Sequence, residues 1–158
     1  MSVNPIPQGY HSVTPSLAIR NAAKAIDYYK QALGAVERFR MNGPGGHVAH
    51  AELQIGNSIL MLAEAVPAWG NKSPEDLGGS PVSLFLYVED VDAAFKKAVD
   101  AGGTVTMPVA DMFWGDRFGK FRDPFGHEWG MATHVEDVSP EDMDRRGKEA
   151  MAAMAQGG

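Results

Sequence analysis

The chain has 158 residues, enough for one domain or two small halves sharing a core, and its 44% apolar and 22% charged content is that of an ordinary globular protein. Fourteen basic against twenty acidic side chains leave a net charge of −6, which argues against a nucleic-acid partner; the lack of cysteine removes disulfides, thiolate nucleophiles and cysteinyl metal sites. No apolar run approaches the roughly 18 residues a membrane span requires, and the N-terminus lacks the basic region and apolar core of a secretion signal, so no membrane partner and a cytoplasmic location are expected.

Residues 1–12 carry two prolines and a glycine and read as an N-terminal arm. Residues 13–64 form a first module. Val13 to Ile19 alternates as a strand, Asn21 is the expected helix cap, and Ala22, Ile26, Tyr29 and Leu33 make one apolar helical stripe that Gly34 ends. Strands follow at Ala35 to Met41, Val48 to Ile55 and Ser58 to Ala63, the last two joined by a Gly56-Asn57 turn, with Glu64 expected in solvent at the end. Residues 65–80, rich in Pro, Gly and Asn and carrying an isolated Trp69, read as a linker.

The pattern then restarts over residues 81–135. Val82 to Val88 alternates, Asp90 caps a helix with Val91, Ala94, Phe95 and Ala98 inward, and Gly102-Gly103 stops it. Thr104 to Val109 is a strand, and a hairpin follows, built on the turn Asp123-Pro124-Phe125-Gly126. Residues 136–158 hold a helix that starts at Ser139-Pro140 and a tail that frays after about Ala155. A shift of 69 residues places Leu17 on Leu86, Ile19 on Val88, Asn21 on Asp90, Gly34 on Gly103, and Gln54 to Asn57 on Asp123 to Gly126. Caps, stops and turns that agree at one offset indicate a duplication. The fold class is therefore α+β, two tandem βαβββ modules forming a cupped mixed sheet.

A duplicated βαβββ unit with a late Asp-Pro-x-Gly hairpin resembles the vicinal oxygen chelate superfamily of glyoxalases, bleomycin-resistance proteins and dioxygenases. Ala25 to Lys30, Asp116 to Gly119 and Trp129 to Glu141 resemble its PhnB-like branch. The resemblance implies that both sheets curve around a shared cavity with helices outside, and that members pair as homodimers. By strand parity the cavity side carries Thr14, Ser16, His50, Glu52, Gln54, Ile59, Met61 and Ala63, then Ser83, Phe85, Tyr87, Glu128, Gly130, Ala132 and His134. The metal enzymes of this superfamily hold a divalent ion with His or Glu at positions that fall here on Thr14, Met61, Ser83 and Gly130. Hydroxyls, a thioether and a hydrogen are poor ligands for such an ion, so no cofactor is expected there.

Two functions remain open. The first is a small-molecule-binding protein in which Trp69, Phe85, Tyr87, Trp114 and Phe121 give stacking walls and Arg117 gives a charged anchor for a carboxylate or phosphate. In that reading Thr14, Ser16, Met61, Ser83 and Gly130 line the rest of the cavity. The bland counterpart is that Phe85 and Phe121 are core and the two tryptophans pack at a subunit interface. The second is a metal-dependent lyase or dioxygenase with displaced ligands drawn from His50, Glu52, Glu128 and His134. Apart from any metal, His50 and Glu52 read either as a general acid–base pair or as a polar lining hydrogen-bonded to its neighbours. His47, His127 and His134 read equally as surface or capping residues. A third class, a purely structural protein, predicts a cavity filled by side chains.

Overall fold

The computed structural model describes residues 3–157. The first half runs β1 (Ser16–Ile19), α1 (Ala22–Leu33), β2 (Val36–Asn42), β3 (Val48–Ile55) and β4 (Ser58–Glu64), in sheet order β1-β4-β3-β2. A linker follows, with a short helix, α2 (Pro74–Leu77). The second half repeats the plan as β5 (Ser83–Tyr87), α3 (Val91–Asp100), β6 (Thr104–Asp111), β7 (Asp116–Arg122) and β8 (Glu128–His134), in order β5-β8-β7-β6. A final helix, α4 (Pro140–Gln156), packs Gly147 against Phe113 and is tied down by Arg146 on Glu136 at 2.7 and 2.9 Å.

The duplication extends to register. In each half the first strand runs parallel to the last, with Ser16 opposite Met61 and Phe85 opposite Gly130, pairs related by the 69-residue shift. The third strands depart from it. Glu52 faces Met61 whereas Lys120 faces Gly130, a shift of 68. The gapless match over the turns is thus corrected. Gly56-Asn57 closes β3–β4 in two residues, and the second half needs the longer Asp123–His127 loop to close the same hairpin.

The longer loop is stabilised from within. Asp123, 3% exposed, accepts the Phe125 and His127 backbone N–H groups, the Tyr29 hydroxyl at 2.6 Å and the Trp129 indole N–H at 3.0 Å. Tyr29 belongs to α1, so this carboxylate joins the halves. The neighbouring Tyr28 donates to the Ala98 carbonyl of α3 at 2.9 Å, and α1 packs directly on α3. Burial and the facing Asp123 charge push the Tyr29 hydroxyl well above its ordinary pKa, so it stays a donor. Around these groups Ile19, Ile26, Leu53, Leu62, Phe95, Phe121, Trp129 and Met131 form one core between the two sheets and their helices.

Helix starts show where local reading fell short. Asp90 caps α3 through the Ala93 N–H, as its spacing predicts. Asn21 occupies the equivalent place but adopts a left-handed φ of 64° and makes no side-chain cap bond. The Glu64 carboxylate, expected in solvent, accepts from both Asn21 N–H and Ala22 N–H at 2.9 Å and serves as the cap from 42 residues away. The linker carries its own capping box, Ser73 with Asp76, and Arg20 pairs with Glu75 and Asp76.

Candidate functional site

The face of each sheet turned away from the helices is open. In the second half it is paved with rings. Phe85 lies on Phe118 at 5.2 Å between centroids and 7° between planes. Tyr87 sits 5.0 Å beyond Phe85, Trp114 meets Phe118 edge-on at 5.6 Å, and the Lys120 ammonium lies 5.9 Å from the Phe118 centroid. Phe85 and Tyr87 remain 50% and 60% exposed, an unusual state for large rings on a strand and an opportunity to stack on a ligand. Gly130 makes the paving possible. A Cβ there would come within 2.8 Å of Phe118 and 3.1 Å of Phe85.

One end of this floor is organised by Asp116, 2% exposed. It accepts from the Tyr87 hydroxyl at 2.9 Å, the Trp114 indole at 3.0 Å and His134 Nδ1 at 2.8 Å. The other His134 nitrogen lies 2.9 Å from Asp137. An imidazole with a carboxylate at each nitrogen satisfies both only when doubly protonated. Asp137 and then Asp116 accordingly raise the His134 pKa above the ordinary histidine value. Burial pushes the Asp116 carboxyl up, but the bonds from His134, Tyr87 and Trp114 outweigh it and leave the group below the usual range.

The first half's open face is mixed, with Phe39 and Met41 exposed beside a polar pair. His50 Nε2 lies 3.3 Å from Glu52 Oε1, and the Phe39 ring stands beside His50 at 6.3 Å. The N-terminal arm lies over this face: Pro5, Ile6, Pro7 and Tyr10 share a cavity of about 470 Å³ with Glu52 and Met61. The Tyr10 hydroxyl holds the Glu52 carboxyl below its usual range. Between the halves lie two notches, each lined by Pro15 and Leu84. One, about 330 Å³, brings together Thr14, Ser83 and Phe85; the other, about 460 Å³, takes Ser16 and His127 beneath the linker. His127 is buried, with its Nε2 at 3.3 Å from the Ala18 carbonyl, rather than a surface residue.

Three expected wall residues are elsewhere. Phe121 is fully buried, stacked on Trp129 at 6.3 Å and 5°, with Phe95 edge-on at 5.7 Å. Arg117 lies on the helix side of β7, where its guanidinium is taken by Asp92 at 2.7 and 2.9 Å and by Asp111 at 3.1 Å, so it is no free anchor. Trp69 is 84% exposed on the linker and lines neither notch. Parity held the signal for the first two: Phe121 faces Trp129 and Arg117 faces Thr133, both helix-side positions of β8. The sequence reading missed Tyr10, Asp116, Phe118 and Lys120 as site residues. Phe118 and Lys120 follow from the same parity.

The positions implied as metal ligands do not fit an ion. Thr14, Met61 and Ser83 offer no imidazole or carboxylate, and above Gly130 the space is taken by Phe85 and Phe118. Nor do the displaced candidates converge. His50 and Glu52 stand on the first sheet, Glu128 is bonded to Arg122 at 2.6 Å, and His134 lies at the far end of β8. Among the described residues no three His, Asp or Glu side chains cluster as ligands.

Comparison with known proteins agrees with this architecture. The family model described as the Glyoxalase/Bleomycin resistance protein/Dioxygenase superfamily matches residues 10–131. The uncharacterized protein Mb0911c of Mycobacterium bovis is 44% identical over 135 residues, covering 84% of this chain and 89% of its own. The crystal structure of TioX from Micromonospora sp. ML1 superimposes with a TM-score of 0.63 at 26% identity, over 79% of this chain and 99% of that one. A PhnB protein from Bacillus cereus shares the fold with a TM-score of 0.61 at 18% identity, over 78% of this chain and 99% of that one. No helix among the described residues is long and apolar enough to cross a membrane.

Proposed function

This chain belongs to the glyoxalase/bleomycin resistance protein/dioxygenase superfamily, and on that premise we propose that it binds a flat aromatic or amphipathic small molecule without using the superfamily's metal. One observation carries the reading: Phe85, half exposed, stacks on the buried Phe118 with both ring edges against Gly130, so an aromatic pair stands at a position where the superfamily's metal enzymes place a ligand. The molecule lies on Phe85 and Tyr87, is flanked by Trp114, and reaches the notch at Thr14 and Ser83. A second copy of the chain closes the site from above, since Phe39 and Met41 of one open face and Phe85 and Tyr87 of the other are half or more exposed. Area of that kind favours a homodimer.

The test uses N-phenyl-1-naphthylamine, a neutral flat fluorophore. Saturable binding to the purified protein is expected, with Phe85→Ala weakening it about 10-fold, the loss of one ring stacking contact worth about 1.4 kcal/mol. Metal content well below one equivalent is the expected companion result. Binding that Phe85→Ala leaves untouched, or one tightly held divalent ion per chain, would overturn the proposal.

A further inference from the structure

Asp116 is a buried carboxylate that the repeated fold does not call for. Extending the register of β3, β4 and β1 places Val48, Ala65 and Ala18 of the first half where the second half has Asp116, His134 and Tyr87. The first half builds the same four-stranded sheet with apolar side chains at all three places. The polar cluster is therefore an addition to the module, and it stands at the edge of the ring floor.

Its geometry says what it adds. The Tyr87 hydroxyl and the Trp114 indole N–H end on the same oxygen, Oδ2, at 2.9 and 3.0 Å, while His134 takes Oδ1. Two donors on one acceptor cannot stand more than about 6 Å apart. Tyr87 comes from β5, Trp114 from the β6–β7 loop and His134 from the end of β8, so three elements are registered by one group. Tyr87 and Trp114 are the two outer rings of the floor, standing against Phe85 and Phe118.

We propose that Asp116 is a positioning residue of the binding site: its carboxylate fixes the spacing of Tyr87 and Trp114, and with it the width of the flat molecule the floor accepts. The proposal rests on the ligand reading above for its purpose. The placement of the rings is testable without any ligand.

Hydrogen exchange of the indole N–H groups in ¹⁵N-labelled full-length protein separates the two. The Trp114 indole is held by Asp116 and the Trp129 indole by Asp123, so Trp129 reports the fold while Trp114 reports the clamp. In Asp116→Ala, which removes the acceptor, Trp114 exchange is expected to quicken at least 10-fold with Trp129 unchanged, and naphthylamine binding to weaken about 10-fold. Unchanged Trp114 exchange overturns the positioning role. Freed Trp114 in a protein whose wild type does not bind the probe upholds the clamp and overturns the ligand reading. If Asp116→Ala does not fold, Tyr87→Phe carries the test, since it keeps the ring and removes one tether. About 3-fold weaker probe binding with Trp114 still protected supports the proposal, and binding equal to wild type overturns it.

Discussion

The two halves share a plan and a register, yet their open faces have diverged in opposite directions. The first carries a polar pair, Glu52 and His50, beside Phe39 and Met41, and lies under the chain's own N-terminal arm, with Tyr10 against that pair. The second is bare, aromatic and organised by a buried carboxylate. Their hairpins differ likewise, a two-residue turn in one and a loop anchored on Asp123 in the other. The difference teaches that the helix-facing residues keep the fold while the other face of the same strands is free to change. It also identifies the half in which binding is to be sought.

The sharpest way to break the comparison is at the turns. Asp123→Ala leaves two buried side-chain donors and two turn amides without their acceptor, and about 4 kcal/mol of stability should go, with loss of the α1 connection through Tyr29. Asn57→Ala in the exposed first turn should stay within about 0.5 kcal/mol. Urea unfolding of both variants decides this, and equal losses would refute the asymmetry.

Next come the paired positions on β4 and β8. Gly130→Ala forces a methyl into Phe118 and Phe85 and should cost about 2 kcal/mol, as overpacking does. Met61→Ala, on the half-buried counterpart, should cost about 1 kcal/mol. Thermal melts would show a larger fall for the added methyl than for the deleted side chain.

The smallest effect concerns pH. His134 has a folded pKa above its unfolded value, so its pairing with Asp137 and Asp116 contributes fully below the ordinary histidine range and fades as pH rises through the raised value. The first half has no such group, with Ala65 at the matching place. An NMR titration should find His134 titrating above about 6.5, the unperturbed value. Asp137→Asn should lower that midpoint, and an unmoved midpoint would mean the exposed pair is not formed in solution.

Much of this was legible in the sequence. The duplication, the strand parity of Ser83, Phe85 and Gly130, the Asp90 cap and the Asp123 turn follow from spacing alone, because local geometry dictates them, whereas the first strand begins at Ser16 and not at Val13. What escaped depends on partners distant in the chain. Glu64 caps a helix 42 residues before it, and Asp116 gathers Tyr87 from 29 residues upstream and His134 from 18 downstream. Arg117 and Phe121 face the helices because the alternation of β7, and not their nearness to a loop, sets the side each takes.

Gly130 has a consequence for how such a protein changes over generations. With two rings against its bare backbone, a larger side chain cannot enter this position by one substitution alone, since it would arrive where Phe118 and Phe85 already lie. At least one ring would have to shrink first, so a change at Gly130 is coupled to a change at Phe118 or Phe85. A hydrogen atom, the smallest of side chains, thus ties this position to the two rings beside it.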